Sequence, residues 1–238
     1  MGGIIYKNLC IYKLDLIVLA FMGLITSLTI LLSAGSVPEY ERESMLMGMY
    51  PVLYFFVFFM STLFEHQIFL ADENRTINSF IISTPFGAKG HVEGKYYTIL
   101  IVNIMMLVWC FITDTIVCLI VNTNAYSMGI VLMLLFCWNL LCSAFSNPFY
   151  LRFGTTYGNA ARFGALGVIV VVIGVYFLFG DISFLFGDDP LAAIMEFLTG
   201  ETMILILSLF PAVSVLLYYI SCKISVPLYR KGVEEYEQ

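Results

Sequence analysis

The chain of 238 residues is 61% apolar and 12% charged, with a net charge of −6, where an ordinary soluble domain carries roughly 45–50% and about 25%. These figures exclude a soluble globular fold, leave no length for a large soluble domain beside the apolar runs, and offer no basic surface to nucleic acid. Long apolar runs in lipid satisfy their backbone amides only as helices, so the sequence predicts a single all-α polytopic transmembrane domain over 1–238.

In chain order, residues 4–13 alternate Ile4, Ile5, Leu9, Ile11 and Tyr12 with Lys7 and Lys13, which suits an interfacial helix or else a frayed terminus. Six spans follow at about 14–34, 48–69, 97–121, 127–147, 164–180 and 202–222, each near the ~20 residues that cross a bilayer core. The first is too long for a signal-peptide core and is followed by further spans. Of the 11 Lys and Arg residues, all but Arg42 fall before span 1, in every second gap and after span 6. By the positive-inside rule both termini are cytoplasmic, and Glu39, Glu41, Glu43, Asp181, Asp188, Asp189, Glu196 and Glu201 lie outside.

The inner segment between spans 2 and 3 holds the clearest local pattern. Ile77, Phe80 and Ile81 fall at i, i+3, i+4, giving one apolar helical face against Arg75, Asn78 and Ser79. Pro85 ends that helix, and Gly87, Gly90 and Gly94 loosen the return to span 3. A second inner loop is expected over 147–162. Ale small residues Ala160, Gly164, Gly167 and Gly174 then fit either packing within the chain or a dimer contact. Between spans 5 and 6, Asp189 and Pro190 open a short extracellular helix that Gly200 closes.

Three carboxylates sit in or beside spans and each needs a physical account, since a charge at mid-bilayer costs about 2.5–3.5 kcal/mol. Asp15 and Glu65, the latter beside His66, read as interfacial. Asp114, between Thr113 and Thr115, lies deeper and is either a proton-coupling group or a buried structural hydrogen-bond acceptor. Tyr54 and Phe58, at i and i+4 in an aromatic span 2, either line a translocation path with Asp114 or pack against neighbours and lipid.

No constellation suits catalysis, cofactor binding or a metal. Gly90-His91-Val92-Glu93-Gly94-Lys95-Tyr96 is one residue short of a phosphate-binding loop, with Tyr96 where Ser or Thr should hold magnesium. Glu65-His66 lacks zinc spacing, and His91 reads as a solvated loop residue. The six cysteines contain no C-x-x-C pair and are expected to be buried free thiols.

Asp72-Glu73 before an amphipathic helix, then Ser83-Thr84-Pro85-Phe86 and Val92-Glu93-Gly94-Lys95-Tyr96, resembles the ABC-2 type permeases. Asn147-Pro148-Phe149-Tyr150-Leu151-Arg152-Phe153-Gly154 with Arg162, and the tail from Ser221 through Ser225, Tyr229, Arg230 and Lys231, resemble the same family. Thr84 and the Gly158-Asn159 pair depart from its pattern. The resemblance covers essentially the whole chain, and in size and layout it extends to the permeases of phenol-soluble modulin exporters.

That resemblance implies a non-enzymatic permease subunit in a bacterial plasma membrane. It implies a homodimer with two copies of a separate ATPase that uses ATP and magnesium, and outward movement of amphipathic peptides or similar molecules. Asp72, Glu73, Arg75, Ile77, Phe80 and Ile81 would form the coupling helix that meets the ATPase. The alternative is an ion- or proton-coupled carrier built on Asp114 and Glu65.

Overall fold

The computed structural model describes residues 2–36, 39–70, 87–121, 128–179 and 201–235. Among them are seven helices: α1 (Gly2–Ile11), α2 (Lys13–Ser36), α3 (Glu39–Leu70), α4 (Gly87–Val121), α5 (Gly129–Phe153), α6 (Thr155–Phe179) and α7 (Glu201–Glu235). Among the described residues, five stretches are long and apolar enough to cross a membrane, namely Lys13–Ser33, Met49–Leu70, Gly87–Ile120, Gly129–Phe153 and Ser208–Gly232. The expected span 164–180 falls on α6. The expected coupling helix and the extracellular helix fall in 71–86 and 180–200, outside the described residues.

The helices run past the boundaries that hydropathy sets. α3 has 32 residues and takes in the acidic stretch from Glu39, and α4 has 35, beginning at Gly87 instead of 97. Gly90 and Gly94 therefore lie inside a helix and loosen nothing. Each glycine costs about 1 kcal/mol there, which the burial of Val92, His91, Glu93 and Lys95 against neighbouring helices offsets. His91 is accordingly not a solvated loop residue: its ring lies 5.5 Å from that of Tyr229.

The expected loop 147–162 is likewise absent. α5 continues to Phe153, and α6 begins at Thr155 after the single residue Gly154. Pro148 is tolerated inside α5 for a specific reason. Proline lacks the N–H that would bond the carbonyl four residues back, and the Ser221 hydroxyl of α7 donates to that carbonyl, Ala144, at 2.6 Å.

α5 lies at the centre, packed against α7, α6, α3 and α4, while α2 packs against α3 and α4. α2 turns Leu14, Ile17, Val18, Phe21, Leu28 and Leu32 outward, the apolar coat a lipid-facing helix carries. α1 is docked, since buried Asn8 donates to Thr98 on α4 at 3.3 Å. At Gly164, Gly167 and Gly174 an added Cβ would meet nothing within 4 Å, so among the described residues the close-packing reading fails there. All six cysteines are free, but Cys10 is exposed and Cys118 only half-buried, against the expectation of burial.

Candidate functional site

Glu65 is fully buried on α3 and Arg162 is 6% exposed on α6. The Arg162 Nη2 donates to Glu65 Oε2 at 2.8 Å and also to the Ser143 hydroxyl at 3.3 Å. That hydroxyl lies 2.6 Å from Glu65 Oε1. Asn103 on α4 uses all its capacity: Oδ1 accepts from Ser61 at 2.9 Å and from Asn139 at 2.6 Å, and Nδ2 donates to Ile99 O at 3.0 Å and Glu65 Oε1 at 3.5 Å. Four helices thus meet on one carboxylate. In a medium of low dielectric such a network is strong when every member is satisfied and costly when one is removed.

One turn further along α3, its end is fastened from three sides. Ile68 O accepts from the buried Lys95 ammonium at 2.8 Å and from the Tyr12 hydroxyl at 3.3 Å. The same ammonium stands 4.7 Å from the Phe69 ring centre. Phe69 stacks on Tyr150 of α5 at 4.9 Å and 3°. The Tyr150 hydroxyl donates to Asn159 Oδ1 on α6, whose Nδ2 lies 3.4 Å from His66 Nδ1.

The expected coupling residues Asp72, Glu73, Arg75, Ile77, Phe80 and Ile81 lie outside the described residues, between this fastened end and Gly87, which takes a left-handed φ of 55°. On the far side of Gly87, Tyr96 of α4 bonds Ser221 and Ser225 of α7 at 2.8 and 2.7 Å, and Tyr218 donates to Tyr96 O at 2.8 Å. The Glu93–Lys223 pair at 3.1 Å adds little, because Lys223 is 47% exposed.

Asp114 is 4% exposed, at the opposite end of α5 from the fastened end of α3. Both carboxylate oxygens accept from the Met128 N–H, at 3.2 and 3.1 Å, just before α5 begins. A carboxylate at a helix N-terminus is worth about 1 kcal/mol. We expect Asp114→Asn, which keeps an acceptor, to cost about 1 kcal/mol or less in stability, and Asp114→Ala to cost more, as read from thermal unfolding in detergent. Full transport by Asp114→Asn at every pH would remove a proton-relay role.

Tyr54 and Phe58 are buried on α3. The Tyr54 hydroxyl finds no hydrogen-bond partner among the described residues. Phe58 lines a cavity between α3, α5 and α6 that neither Tyr54 nor Asp114 reaches.

Sequence reasoning named Arg162 and Lys95 only within motifs and missed Asn103, Asn139 and Ser143 altogether. A signal for part of the network was present, because Ser61–Glu65, Ile99–Asn103 and Asn139–Ser143 all stand four apart within apolar runs, which places each pair on one helical face.

A family model described as an ABC-2 family transporter protein matches residues 3–230. The chain belongs to the ABC-2 transporter family. Neither the curated proteins nor the solved structures compared with it gave a match. As an ABC-2 family member it is a multi-pass membrane component of a transporter, and such components normally work with an ABC ATPase partner.

Proposed function

We propose that this ABC-2 family chain is the permease subunit of an ATP-driven exporter in a bacterial plasma membrane, with six spans and both termini cytoplasmic. Two copies pair with two copies of a separate ATPase, which alone holds ATP and magnesium. The cargo is an amphipathic peptide or a similar hydrophobic molecule. The dimer, the direction and the cargo class rest on the likeness to the exporter permeases.

Coupling runs through the 72–96 segment, and one observation supports this: the end of α3 before it and the first turns of α4 are tied to each other. Lys95 and Tyr12 hold the Ile68 carbonyl, and Glu65 is one turn away in the buried network. A push delivered by the ATPase at Ile77, Phe80 and Ile81 therefore reaches α3 and α4 together and bears on the Glu65–Arg162 junction, a rigid-body form of switching. Of the expected path residues, Phe58 lines the cavity beside α3, and Tyr54 and Asp114 stand outside that cavity.

Purification of the tagged chain in mild detergent is expected to bring down a partner carrying G-x-x-x-x-G-K-[ST]. Phe80→Ala and Arg75→Glu are expected to leave the permease folded while reducing transport by roughly tenfold or more at unchanged basal ATP hydrolysis. Intact docking and transport in both variants would overturn the coupling assignment. In ATP-supplied vesicles transport is expected to survive a protonophore, and direct loss of transport would instead support the carrier reading. That reading draws on Glu65 and Asp114, and it has less support because Arg162 neutralises the first and the α5 N-terminus engages the second.

A further inference from the structure

The cavity bounded by α3, α5 and α6 has a volume of about 300 Å³. It follows α3 from Phe55 to His66, eleven residues or about 16 Å. An α-helical segment of that length and about 10–12 Å across would fill on the order of 1,300 Å³ or more, so the slot suits an extended alkyl chain and not a helix. Its two ends differ chemically. Phe55, Leu135 and Leu166 wall one end, and His66, Asn159 and Arg162 form the other. Phe59, Leu63 and Phe163 stand at the rim with 39%, 51% and 61% of their surface exposed, so the slot opens sideways onto the bundle's apolar exterior.

The polar end offers hydrogen-bond donors. A guanidinium has five N–H donors and no acceptor; Nη2 of Arg162 is engaged by Glu65 and Ser143, and the Tyr150 hydroxyl stands beside the group. These contacts use fewer than its five donors, and the side chain lines the cavity. Planar guanidinium recognises a carboxylate through paired N–H groups. We propose that this slot binds a single-chain amphipath with a compact anionic head, of the fatty-acid class, entering from the membrane with its head at Arg162 and His66 and its tail toward Phe55. The proposal concerns occupancy of the slot and stands apart from the exporter reading.

Trp138 lines the slot and Trp109 does not, and these are the two tryptophans of the chain. The full-length protein in neutral-lipid nanodiscs, as Trp109→Phe and as Trp138→Phe, is titrated with dodecanoate brominated at mid-chain. Quenching of Trp138 is expected to saturate at about tenfold lower concentration than that of Trp109. Unlabelled dodecanoate is expected to displace the probe about tenfold better than dodecyltrimethylammonium. Leu166→Phe, which shortens the apolar end and leaves Arg162 and Glu65 untouched, is expected to weaken dodecanoate while sparing octanoate. Equal quenching of the two tryptophans, equal displacement by anionic and cationic heads, or chain-length dependence unmoved by Leu166→Phe would each overturn the proposal.

Discussion

Arg162→Met is expected to destabilise the protein by about 3–5 kcal/mol, because removing one partner of a buried ion pair strands the other. Glu65 would be left fully buried with only the neutral donors Ser143 and Asn103. At this chain length such a loss lowers the unfolding midpoint by about 6–20 °C. Glu65→Gln alone is expected to be costly for the mirror-image reason. The informative measurement is the double variant: Glu65→Gln with Arg162→Met should recover most of what either change loses, since replacing both charges by groups of similar shape is often near neutral. A double variant as unstable as the sum of the two single ones would show that the two side chains do not depend on each other.

Gly158→Ala is the second large effect. The new Cβ would fall inside the Tyr150 ring, against Cγ, Cδ1 and Cε1, which are not the movable tip of the side chain. Tyr150 has nowhere to retreat, since Phe69 is stacked on its other face and Asn159 holds its hydroxyl. Overpacking usually costs about 1–3 kcal/mol, and here the displaced ring also abandons the end of α3. We expect a loss at or above the top of that range, with poor recovery of folded protein. Tyr150→Ala should restore stability to Gly158→Ala in part, although it is destabilising alone. If Gly158→Ala is harmless by itself, the close approach of α6 to Tyr150 is wrong.

The sequence made the helical character and the membrane spans legible because apolar runs of about 20 residues have few other solutions. It placed the helix ends poorly at 87–96 and 147–154, where glycine, proline and charge are ordinary boundary signals. Tertiary contacts override them there: Lys95 is 2% exposed with its ammonium on Ile68 O, and Ser221 repairs the bond that Pro148 removes. The same blindness hid the pairing of Arg162 with Glu65. Hydropathy counts a charge as a step toward water, and it cannot register that two charges 97 positions apart neutralise each other. Asp114 was legible as a buried acceptor, but its partner was not, because Met128 offers only its backbone N–H.

Gly154, with φ 86° and ψ −177°, occupies backbone space that is essentially closed to other residues. It is also the whole of the connection between α5 and α6. Geometrically it is a pivot without slack: an insertion there is expected to be ruinous, and a swing of α6 has nowhere to begin but this one residue. Arg162 rides eight residues out, on a lever arm of about 12 Å. A swing of about 10° would carry its guanidinium roughly 2 Å, enough to leave Glu65. The ion pair is in that sense an angular stop, engaged at one elbow setting and released at any other.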